Sequence, residues 1–322
     1  MKSLDFLGDI AGDLAKVEEH LKETVSSRDP LLNQASLHPL EAGGKRLRPA
    51  MLLMAGRLFN YDLETLKPLA AGAELMHMAT LVHDDVIDHS SLRRGRPTVN
   101  AAWSSKIAVL VGDYLFASAV ASIASRYSSE VVRVLADLVV EICHGEMLQT
   151  RHGYDLDLTE DGYLQRIREK TASFFGVCTR LGALLCGASQ EQIDAVRRYG
   201  DSVGIAFQMA DDLLDILGSS AETGKPVAGG DMRSGVYTLP LLYALKHSPR
   251  AGRLREILSG DADDGAIGEA LEIIKASGGI DYTRRRAIQY VDEAKAALAV
   301  VPDSRERQAL EGLADFVVSR TW

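Results

Sequence analysis

Apolar residues recur at intervals of three and four positions along most of the chain, which is the spacing that places them on one face of an α-helix. The spacing is clear between residues 66 and 78 and again between residues 131 and 142. The alternating pattern of strands is nearly absent. No proline lies between Thr98 and Lys225, so we expect long helices there. The pattern predicts an all-α protein, and residues 1–322 form a single predicted domain because no linker-like composition divides them.

Local signals suggest where helices begin and where the chain is irregular. Ser189 with Gln192 has the form of a capping box, and Pro49 is expected to be the first residue of a helix. The longest irregular loop is predicted at 219–237 and a shorter one at 90–97. Each of these loops follows an acidic segment.

Composition narrows the function classes. The 322 residues are 46% hydrophobic and 25% charged, with 36 Lys and Arg against 45 Asp and Glu, for a net charge of −9. This composition is typical of a soluble globular protein and excludes a disordered chain or a small disulfide scaffold. The acidic balance argues against a general nucleic-acid-binding surface.

Membrane and targeting signals are weak. The first ten residues carry Asp5 and Asp9 and lack the apolar stretch of a signal peptide. Residues 107–124 are long enough to span a bilayer but include Asp113, so we expect a buried core helix and no transmembrane segment.

The cysteines bear on the compartment. Cys143, Cys178 and Cys186 are odd in number, lack metal-ligand spacing and lie in apolar stretches. We expect them to be buried free thiols in a reducing compartment, and the protein to be cytoplasmic.

Two acidic segments share the form Asp-Asp-x-x-Asp, and they run from His83 to Asp88 and from Ala210 to Asp215. Aspartates four positions apart share one helix face, and the apolar flanks predict that these carboxylates lie inside a helical core. Two carboxylates about 5 Å apart repel by roughly 3 kcal/mol at an effective dielectric constant of about 20. Magnesium would offset this repulsion, since it takes one or two carboxylates together with phosphate oxygens. A di-iron bundle is the competing metal site, but it requires Glu-x-x-His pairs that both segments lack.

Cations occur near these acidic segments. Short segments that contain Lys or Arg lie at 43–49, 91–97 and 223–226. Their joint placement favours binding of an anionic substrate over three unrelated solvated loops. Four further polar residues interrupt apolar helical stretches, and periodicity alone does not assign them to a site; they are His77, Lys170, Thr171 and Gln208.

Taken together, these residues resemble the trans-isoprenyl diphosphate synthase (polyprenyl synthetase) family. The similarity rests on an ordered set of motifs at 43–49, 81–88, 93–95, 112–113, 145–149, 170–171, 207–215 and 238–240. It is greatest to the long-chain bacterial members, octaprenyl diphosphate synthases above all, and extends to 278–284. The resemblance implies a single helical bundle around a deep central cavity (the isoprenoid synthase fold), a homodimer and Mg²⁺ as cofactor.

The resemblance also implies roles for individual residues. Asp84 and Asp88 match metal ligands that Asp85 supports, and Asp211 matches a metal ligand with Asp212 and Asp215 nearby. The positions that hold the allylic diphosphate are Arg93, Lys170, Thr171, Gln208 and Lys225, of which Lys170 is also counted as catalytic with the six aspartates. The positions that hold isopentenyl diphosphate are Lys45, Arg48, His77 and Arg94.

One position departs from the family pattern. Many relatives have lysine in a Gly-Lys-x-Thr-Leu-Pro segment, whereas this chain has Val236 there. Valine cannot contact a phosphate as a cation does. Either Lys225 and Arg233 suffice, or the allylic site is weaker than in those relatives.

The implied activity is Mg²⁺-dependent, head-to-tail condensation of isopentenyl diphosphate onto an allylic diphosphate, with farnesyl diphosphate as the expected primer. In this family, bulky side chains just before the first acidic segment close the product tunnel. Here Thr80 and Ala79 precede Asp84, with Met76 and Ala73 deeper, and the small residues imply a long product, best matched by eight isoprene units for a quinone side chain. Transient contact with a membrane surface would serve product release. The alternatives are a medium-chain synthase (geranylgeranyl to heptaprenyl), a subunit of a heteromeric synthase, a terpene cyclase and a helical di-metal oxidase.

Overall fold

The computed structural model describes residues 10–218, 229–260 and 263–319. Within these residues the structure is almost entirely helical, which confirms the all-α prediction. The elements are α1 (Ala11–Thr24), α2 (Pro30–Glu41), α3 (Leu47–Arg57), α4 (Leu63–Ile87), β1 (Leu92–Arg93), β2 (Arg96–Pro97), α5 (Val99–Ala102), α6 (Ser105–Ala124), α7 (Ser129–Arg151), α8 (Glu160–Ile167), a π-helix (Arg168–Ala172), α9 (Ser173–Leu185), α10 (Gln190–Leu217), α11 (Gly230–Arg233), α12 (Leu239–His247), α13 (Ala251–Leu258), α14 (Asp264–Ala276), α15 (Gly279–Ala297), a 3₁₀ helix (Leu298–Val300) and α16 (Arg305–Ser319).

Two compact units make up the chain. The described part of the first consists of residues 10–136, 177–197 and 300–310. The described residues of 137–176, 198–299 and 311–319 form the second. The first unit therefore holds the first acidic segment, and the second unit holds the other.

In the first unit, the 25-residue helix α4 packs against α6, α3 and α1. Its mid-portion is buried on nearly every side, with leucines, alanines and methionines in the core. Gly72 permits close contact with α6, because a Cβ there would lie 2.6 Å from Cδ1 of Ile123. The last turn of this well-packed helix carries the first acidic segment.

In the second unit, the core is rich in aromatic residues. Tyr163, Tyr199 and Tyr237 are fully buried together with Phe174 and Phe175. Helix α12 packs against α15 and α13. The acidic residues at 211–215 lie at the end of α10, the longest of the described helices.

Helix starts follow local side-chain chemistry. The Asp29 carboxylate accepts a hydrogen bond from the Leu32 amide at 2.8 Å at the start of α2. The predicted capping box is confirmed, since the Ser189 amide donates to Gln192 and the Gln192 amide donates back to the Ser189 hydroxyl. Helix α3 begins at Leu47, two residues before the expected start.

Helix α6 differs from the sequence expectation. A buried core helix was predicted, but only 33% of its most apolar 18-residue stretch is buried. Among the described helices, it alone is long and apolar enough to cross a membrane. Core helices of soluble proteins can meet the same criteria. Its exposed residues include Lys106 and Asp113, which would be costly in hydrocarbon. The sequence overestimated its burial because a nearly uniform apolar composition does not reveal which face is covered.

Three smaller expectations are also corrected. Cys143 is exposed, whereas Cys178 and Cys186 are buried, and all three are free thiols. The predicted loop at 90–97 contains an antiparallel hairpin in which Leu92 pairs with Pro97. In the predicted loop at 219–237, residues 230–233 form α11, and residues 219–228 lie outside the described part of the chain.

Candidate active site

The first acidic segment is organised by an ion pair between Asp85 and Arg93. Asp85 is only 4% exposed. The guanidinium of Arg93 donates from both Nε and Nη2 to Asp85 Oδ1, at 2.9 and 2.8 Å. The hairpin after α4 makes this possible because it returns the chain toward the helix end. Arg93, predicted to hold the allylic diphosphate, therefore lies directly beside the first acidic segment.

The aspartates of this segment differ in exposure. Asp84 is half-buried, and Asp88, which ends α4 as its C-cap, is exposed. The expectation that all three carboxylates lie inside the core is thus wrong for Asp88. A helix that ends at Ile87 turns position 88 outward, which apolar flanks alone could not reveal. The two residues predicted as metal ligands are the two more accessible ones.

Several cationic side chains lie on or beside the loop at 42–46, which precedes α3. Gly44 lies against Arg94, since a Cβ on Gly44 would be 2.6 Å from Arg94 Nη1. The pKa of His77 is held well below its usual value, first by burial and then by the positive charges of Arg48 and Arg94. The structure therefore brings Arg48, His77 and Arg94 together, and exposed Lys45 lies on the same loop.

Arg46, in the middle of this loop, has a different role. Its guanidinium donates to Glu18 at 2.8 and 3.0 Å and to Glu74 at 2.9 Å. Glu74 is buried in α4, so the pair anchors the loop to the helix that carries the first acidic segment. Arg46 adopts a left-handed backbone conformation with φ of 48°. Sequence reasoning grouped Arg46 with its cationic neighbours and missed this anchoring contact.

The second acidic segment is held by a chain of hydrogen bonds. The Tyr163 hydroxyl donates to Asp212 Oδ2 at 2.7 Å, and the Gln208 amide donates to Asp212 Oδ1 at 2.9 Å. The Thr171 hydroxyl donates in turn to Gln208 Oε1 at 3.0 Å. Thus Thr171 and Gln208, both predicted to bind the allylic diphosphate, form one network with Asp212.

The three aspartates of the second acidic segment also differ in exposure. Asp212 and Asp215 are 2% and 6% exposed, whereas Asp211 is half-buried. Asp215 accepts a hydrogen bond from the Asp231 amide at 3.1 Å. Burial, followed by the negative charge of Asp231, raises the pKa of Asp212 to about 7, and the bonds from Tyr163 and Gln208 oppose this rise. As in the first segment, the residue predicted as a metal ligand is more accessible than its supporting carboxylates.

A short π-helix presents Lys170 and Thr171. Irregular helical turns of this kind occur often at functional sites. The Lys170 ammonium forms an ion pair with Glu146 of α7. Two glycines leave room for the turn: a Cβ on Gly145 would overlap the Lys170 backbone nitrogen, and a Cβ on Gly204 would lie 2.5 Å from Ala172 Cα. Close packing against α7 and α10 therefore defines the position of Lys170.

The remaining predicted positions lie around residues 225–238. Lys225 lies outside the described residues. Val236 is half-buried in a small pocket that Asp215 and Asp231 also line. Arg233 forms an ion pair with Asp264 at 2.8 Å.

The donor chemistry suits a hard divalent cation. Carboxylate oxygens are the ligands that Mg²⁺ and Ca²⁺ take. Within the described ranges, no three His, Cys, Asp or Glu side chains converge into a ready metal site. Such a site is not required, since Mg²⁺ is typically held by one or two carboxylates and completed by water and substrate phosphates. Asp84, Asp88 and Asp211 are therefore suitable ligands, and a diphosphate would supply further oxygens.

Comparison with known proteins identifies the family. The family model described as "Polyprenyl synthetase" matches residues 29–274. The chain belongs to the polyprenyl synthetase family. It is a prenyltransferase, a trans-polyprenyl diphosphate synthase, as the resemblance of its motifs predicted.

Relatives and solved structures of polyprenyl synthetases match nearly the whole chain. A nonaprenyl diphosphate synthase from Mycobacterium tuberculosis is 39% identical over 98% of this chain and 94% of its own. A heptaprenyl diphosphate synthase component 2 from Geobacillus stearothermophilus is 40% identical over 97% of both chains. The crystal structure of a Caulobacter crescentus polyprenyl synthase complexed with calcium and isoprenyl diphosphate has a TM-score of 0.94, with 39% identity over 99% of this chain and 98% of that one.

Several polar residues near the polyprenyl synthetase motifs were missed from sequence. Tyr163 and Arg166 lie three positions apart on α8 and therefore share one face of the helix. Their positions follow the spacing of the core residues of this helix. Their sequence positions could have indicated a buried polar contact, because a tyrosine and an arginine both need polar partners when they are buried. Glu146 belongs to the motif at 145–149, but it was assigned no role in the sequence analysis. Its pairing with Lys170 depends on the contact between α7 and the π-helix.

Proposed function

We propose that this polyprenyl diphosphate synthase condenses isopentenyl diphosphate onto farnesyl diphosphate with Mg²⁺, and that its main product is octaprenyl diphosphate for a quinone side chain. The observation that carries the proposed metal and substrate binding is the difference in exposure between the aspartates of each acidic segment. Asp85, Asp212 and Asp215 are buried and held by protein groups. The neighbouring carboxylates are more accessible. Such an arrangement positions ligands rigidly while leaving oxygens for metal and substrate.

Each substrate has its own set of binding groups in this proposal. Arg93, Lys170, Thr171, Gln208 and Lys225 hold the allylic diphosphate. Lys45, Arg48, His77 and Arg94 hold the diphosphate of isopentenyl diphosphate. A neutral His77 donates one hydrogen bond without adding a further charge to the cluster, consistent with its lowered pKa.

The chemistry needs stabilisation of a leaving group. Cleavage of the allylic carbon–oxygen bond yields an allyl cation and a diphosphate anion, whose charge Lys170 and Arg93 stabilise. When bound, Mg²⁺ would neutralise further charge on that anion. The double bond of isopentenyl diphosphate then attacks the allyl cation to form the new carbon–carbon bond, and the resulting carbocation loses a proton to the departing diphosphate, which restores an alkene. The lengthened allylic diphosphate and inorganic diphosphate result.

Chain length is proposed from α4. Ala73, Met76 and Ala79 are buried in this helix upstream of Asp84, and Thr80 is half-buried. Small side chains at 79 and 80 leave space for a growing chain. Relatives of nearly equal identity are named for nine and seven isoprene units, so overall identity does not select a length. The proposal of eight units therefore rests on these residues and on the motif resemblance.

Product analysis tests the proposal. Purified protein is incubated with Mg²⁺, farnesyl diphosphate and labelled isopentenyl diphosphate, and the dephosphorylated products are separated by reversed-phase chromatography. We expect lipid-soluble label in octaprenol, and no label transfer in EDTA. Products of four to seven units would indicate a medium-chain synthase, and a cyclic hydrocarbon would indicate a terpene cyclase. Iron in the purified protein and no prenyl transfer would favour a di-metal oxidase.

We also propose a homodimer. Val109, Leu110 and Val120 are large apolar residues exposed on α6, and burial against a second copy would remove them from water. The competing assembly is a heteromer, which the relative named as a component 2 favours. Light scattering after size-exclusion chromatography is expected to give twice the chain mass, and Leu110→Glu to give the monomer mass. Synthase activity only after addition of a second polypeptide would support the heteromer.

The proposed location is the cytoplasm, with transient contact with a membrane surface when the apolar product leaves. Cell fractionation is expected to recover the protein in the soluble fraction. Liposomes are expected to raise the steady-state rate by accelerating product release. A rate unchanged by liposomes would contradict the membrane contact.

A further inference from the structure

Arg166 is a buried cation to which the sequence analysis assigned no role. It lies on α8, and it is only 2% exposed. Its guanidinium carbon is 5.6 Å from the centre of the Tyr163 ring, and its Nη2 donates to the Tyr237 carbonyl oxygen at 2.7 Å. Nη1 is buried without a hydrogen-bond partner in the described part of the chain. A buried guanidinium is costly unless a negative charge offsets it.

The carboxyl group that interacts electrostatically with Arg166 belongs to the second acidic segment. Tyr163, which lies beneath the guanidinium, donates a hydrogen bond from its hydroxyl to Asp212. Arg166 and Asp212 interact electrostatically, and Asp231 adds a further negative charge close to Asp212. Arg166 therefore offsets carboxylate charge at the end of α10, from the side of α8.

The hydrogen bond from Arg166 to the Tyr237 carbonyl connects α8 with the segment that contains Val236. Tyr237, whose carbonyl accepts the bond from Arg166, directly follows Val236. Val236 shares a small pocket with Asp215 and Asp231, so a cation at position 236 would stand among these carboxylates. Arg233 of the same segment pairs with Asp264 instead. Lys225 and Arg233 are the two cations that could replace a lysine at 236. Arg233, which the structure describes, is thus already paired with another residue.

We propose that Arg166 is a positioning residue of the allylic diphosphate site, which supplies from the α8 side the positive charge that Val236 cannot supply. It acts through Tyr237, whose carbonyl it fixes, and through the Asp212 network that includes Gln208 and Thr171. The inference rests on the proposed function, because it assumes that this network receives the allylic diphosphate. It predicts that a lysine at 236 becomes important only when Arg166 is lost.

A double-mutant cycle tests this coupling. Calorimetry measures the Kd of an unreactive thiolo analogue of farnesyl diphosphate with Mg²⁺ for wild type, Arg166→Gln, Val236→Lys and the double variant. Arg166→Gln can still donate to Tyr237 but has no charge, and we expect its Kd to rise about tenfold. Val236→Lys is expected to change the wild-type Kd less than about twofold but to recover most of the loss in the Arg166→Gln background.

Further variants separate charge from packing. Arg166→Lys keeps the charge and is expected to bind within about threefold of wild type. Arg255→Met removes a half-exposed arginine that pairs with Asp157 elsewhere in the same unit, and it is the matched control. The KM of isopentenyl diphosphate is expected to stay within about twofold in every variant. Circular dichroism melting checks that each variant is folded.

The outcomes are distinct. Unchanged analogue binding in Arg166→Gln, or the same effect of Val236→Lys in both backgrounds, would overturn the inference. A loss in Arg166→Lys as large as in Arg166→Gln would also overturn it, since packing and not charge would then matter. If Arg166→Gln does not fold, Arg166→Met, which also lacks the charge, replaces it in the cycle, and the same effect of Val236→Lys in the wild-type and Arg166→Met backgrounds overturns the inference. Wild-type protein that neither binds the analogue nor transfers prenyl groups would reject the proposed function itself.

Discussion

The guanidinium of Arg94 lies directly over the backbone of Gly44, at a point where a Cβ would come within 2.6 Å of Nη1. Gly44 has a φ of +156°, and it lies just before Lys45 in the cationic loop. The contact joins the turn of the hairpin to the loop before α3. It assembles cations from distant segments where the isopentenyl diphosphate is proposed to bind.

Replacing Gly44 by alanine is expected to displace Arg94. The added methyl group and the backbone strain together would cost about 1–3 kcal/mol. We expect the KM of isopentenyl diphosphate to rise about tenfold, while the KM of the allylic substrate changes less. Gly43→Ala is the matched control, because Gly43 also has a positive φ, of +73°, but a Cβ there meets nothing within 4 Å. Equal effects of the two variants would show that loop strain, and not Arg94, is responsible.

The low pKa of His77 predicts a pH dependence of stability. Burial and the charges of Arg48, Arg94, Arg93 and Arg46 keep the folded-state pKa below the ordinary value of 6.5. Below that pH the unfolded chain binds a proton that the folded chain does not. His77 therefore lowers the free energy of unfolding as pH falls, by at most about 2 kcal/mol between pH 7 and pH 5.

Urea unfolding at pH 7 and pH 5 measures this effect. His77→Gln is expected to lose less stability on acidification than wild type, by up to about 2 kcal/mol. His247→Gln alters an exposed histidine and serves as the control. An identical pH dependence in wild type and His77→Gln would contradict the prediction.

The π-helix provides a test of the position of Lys170. Gly145→Ala would push against the Lys170 backbone nitrogen and shift the turn. We expect the allylic KM to rise about tenfold or more and the melting temperature to fall by several degrees. Gly268→Ala adds a methyl group where nothing lies within 4 Å, and it should match wild type. Wild-type kinetics in Gly145→Ala would mean that the site tolerates movement of the turn.

Chain length can be tested at Ala79. The residue is buried in α4, and tyrosine there would fill the space proposed for the growing product. Ala79→Tyr is expected to shorten the product, as measured by reversed-phase chromatography. Ala299→Tyr places the same side chain on the surface and is the control. An unchanged product length in folded Ala79→Tyr would reject the assignment of the tunnel.

Much of the fold was predictable because helices depend on local spacing. The periodicity of apolar residues identified an all-α chain, and the spacing of Ser189 and Gln192 predicted a cap that the structure contains. Motif order likewise predicted the family. Burial of α6 was predicted wrongly, because composition indicates how apolar a helix is but not which face another helix covers.

Local spacing was enough to place the aspartates of each acidic segment within about one helical turn of each other, since positions i and i+4 are neighbours on a helix. The way in which those residues are held depends on contacts between distant segments. Asp85 meets Arg93 because a hairpin turns the chain back, and Asp212 meets Tyr163 because α8 packs near the end of α10. The exposure of Asp88 and the burial of Arg166 likewise depend on which surfaces come together. Charges and hydrogen bonds act through space, so their partners are set by packing between distant segments and not by spacing along the chain.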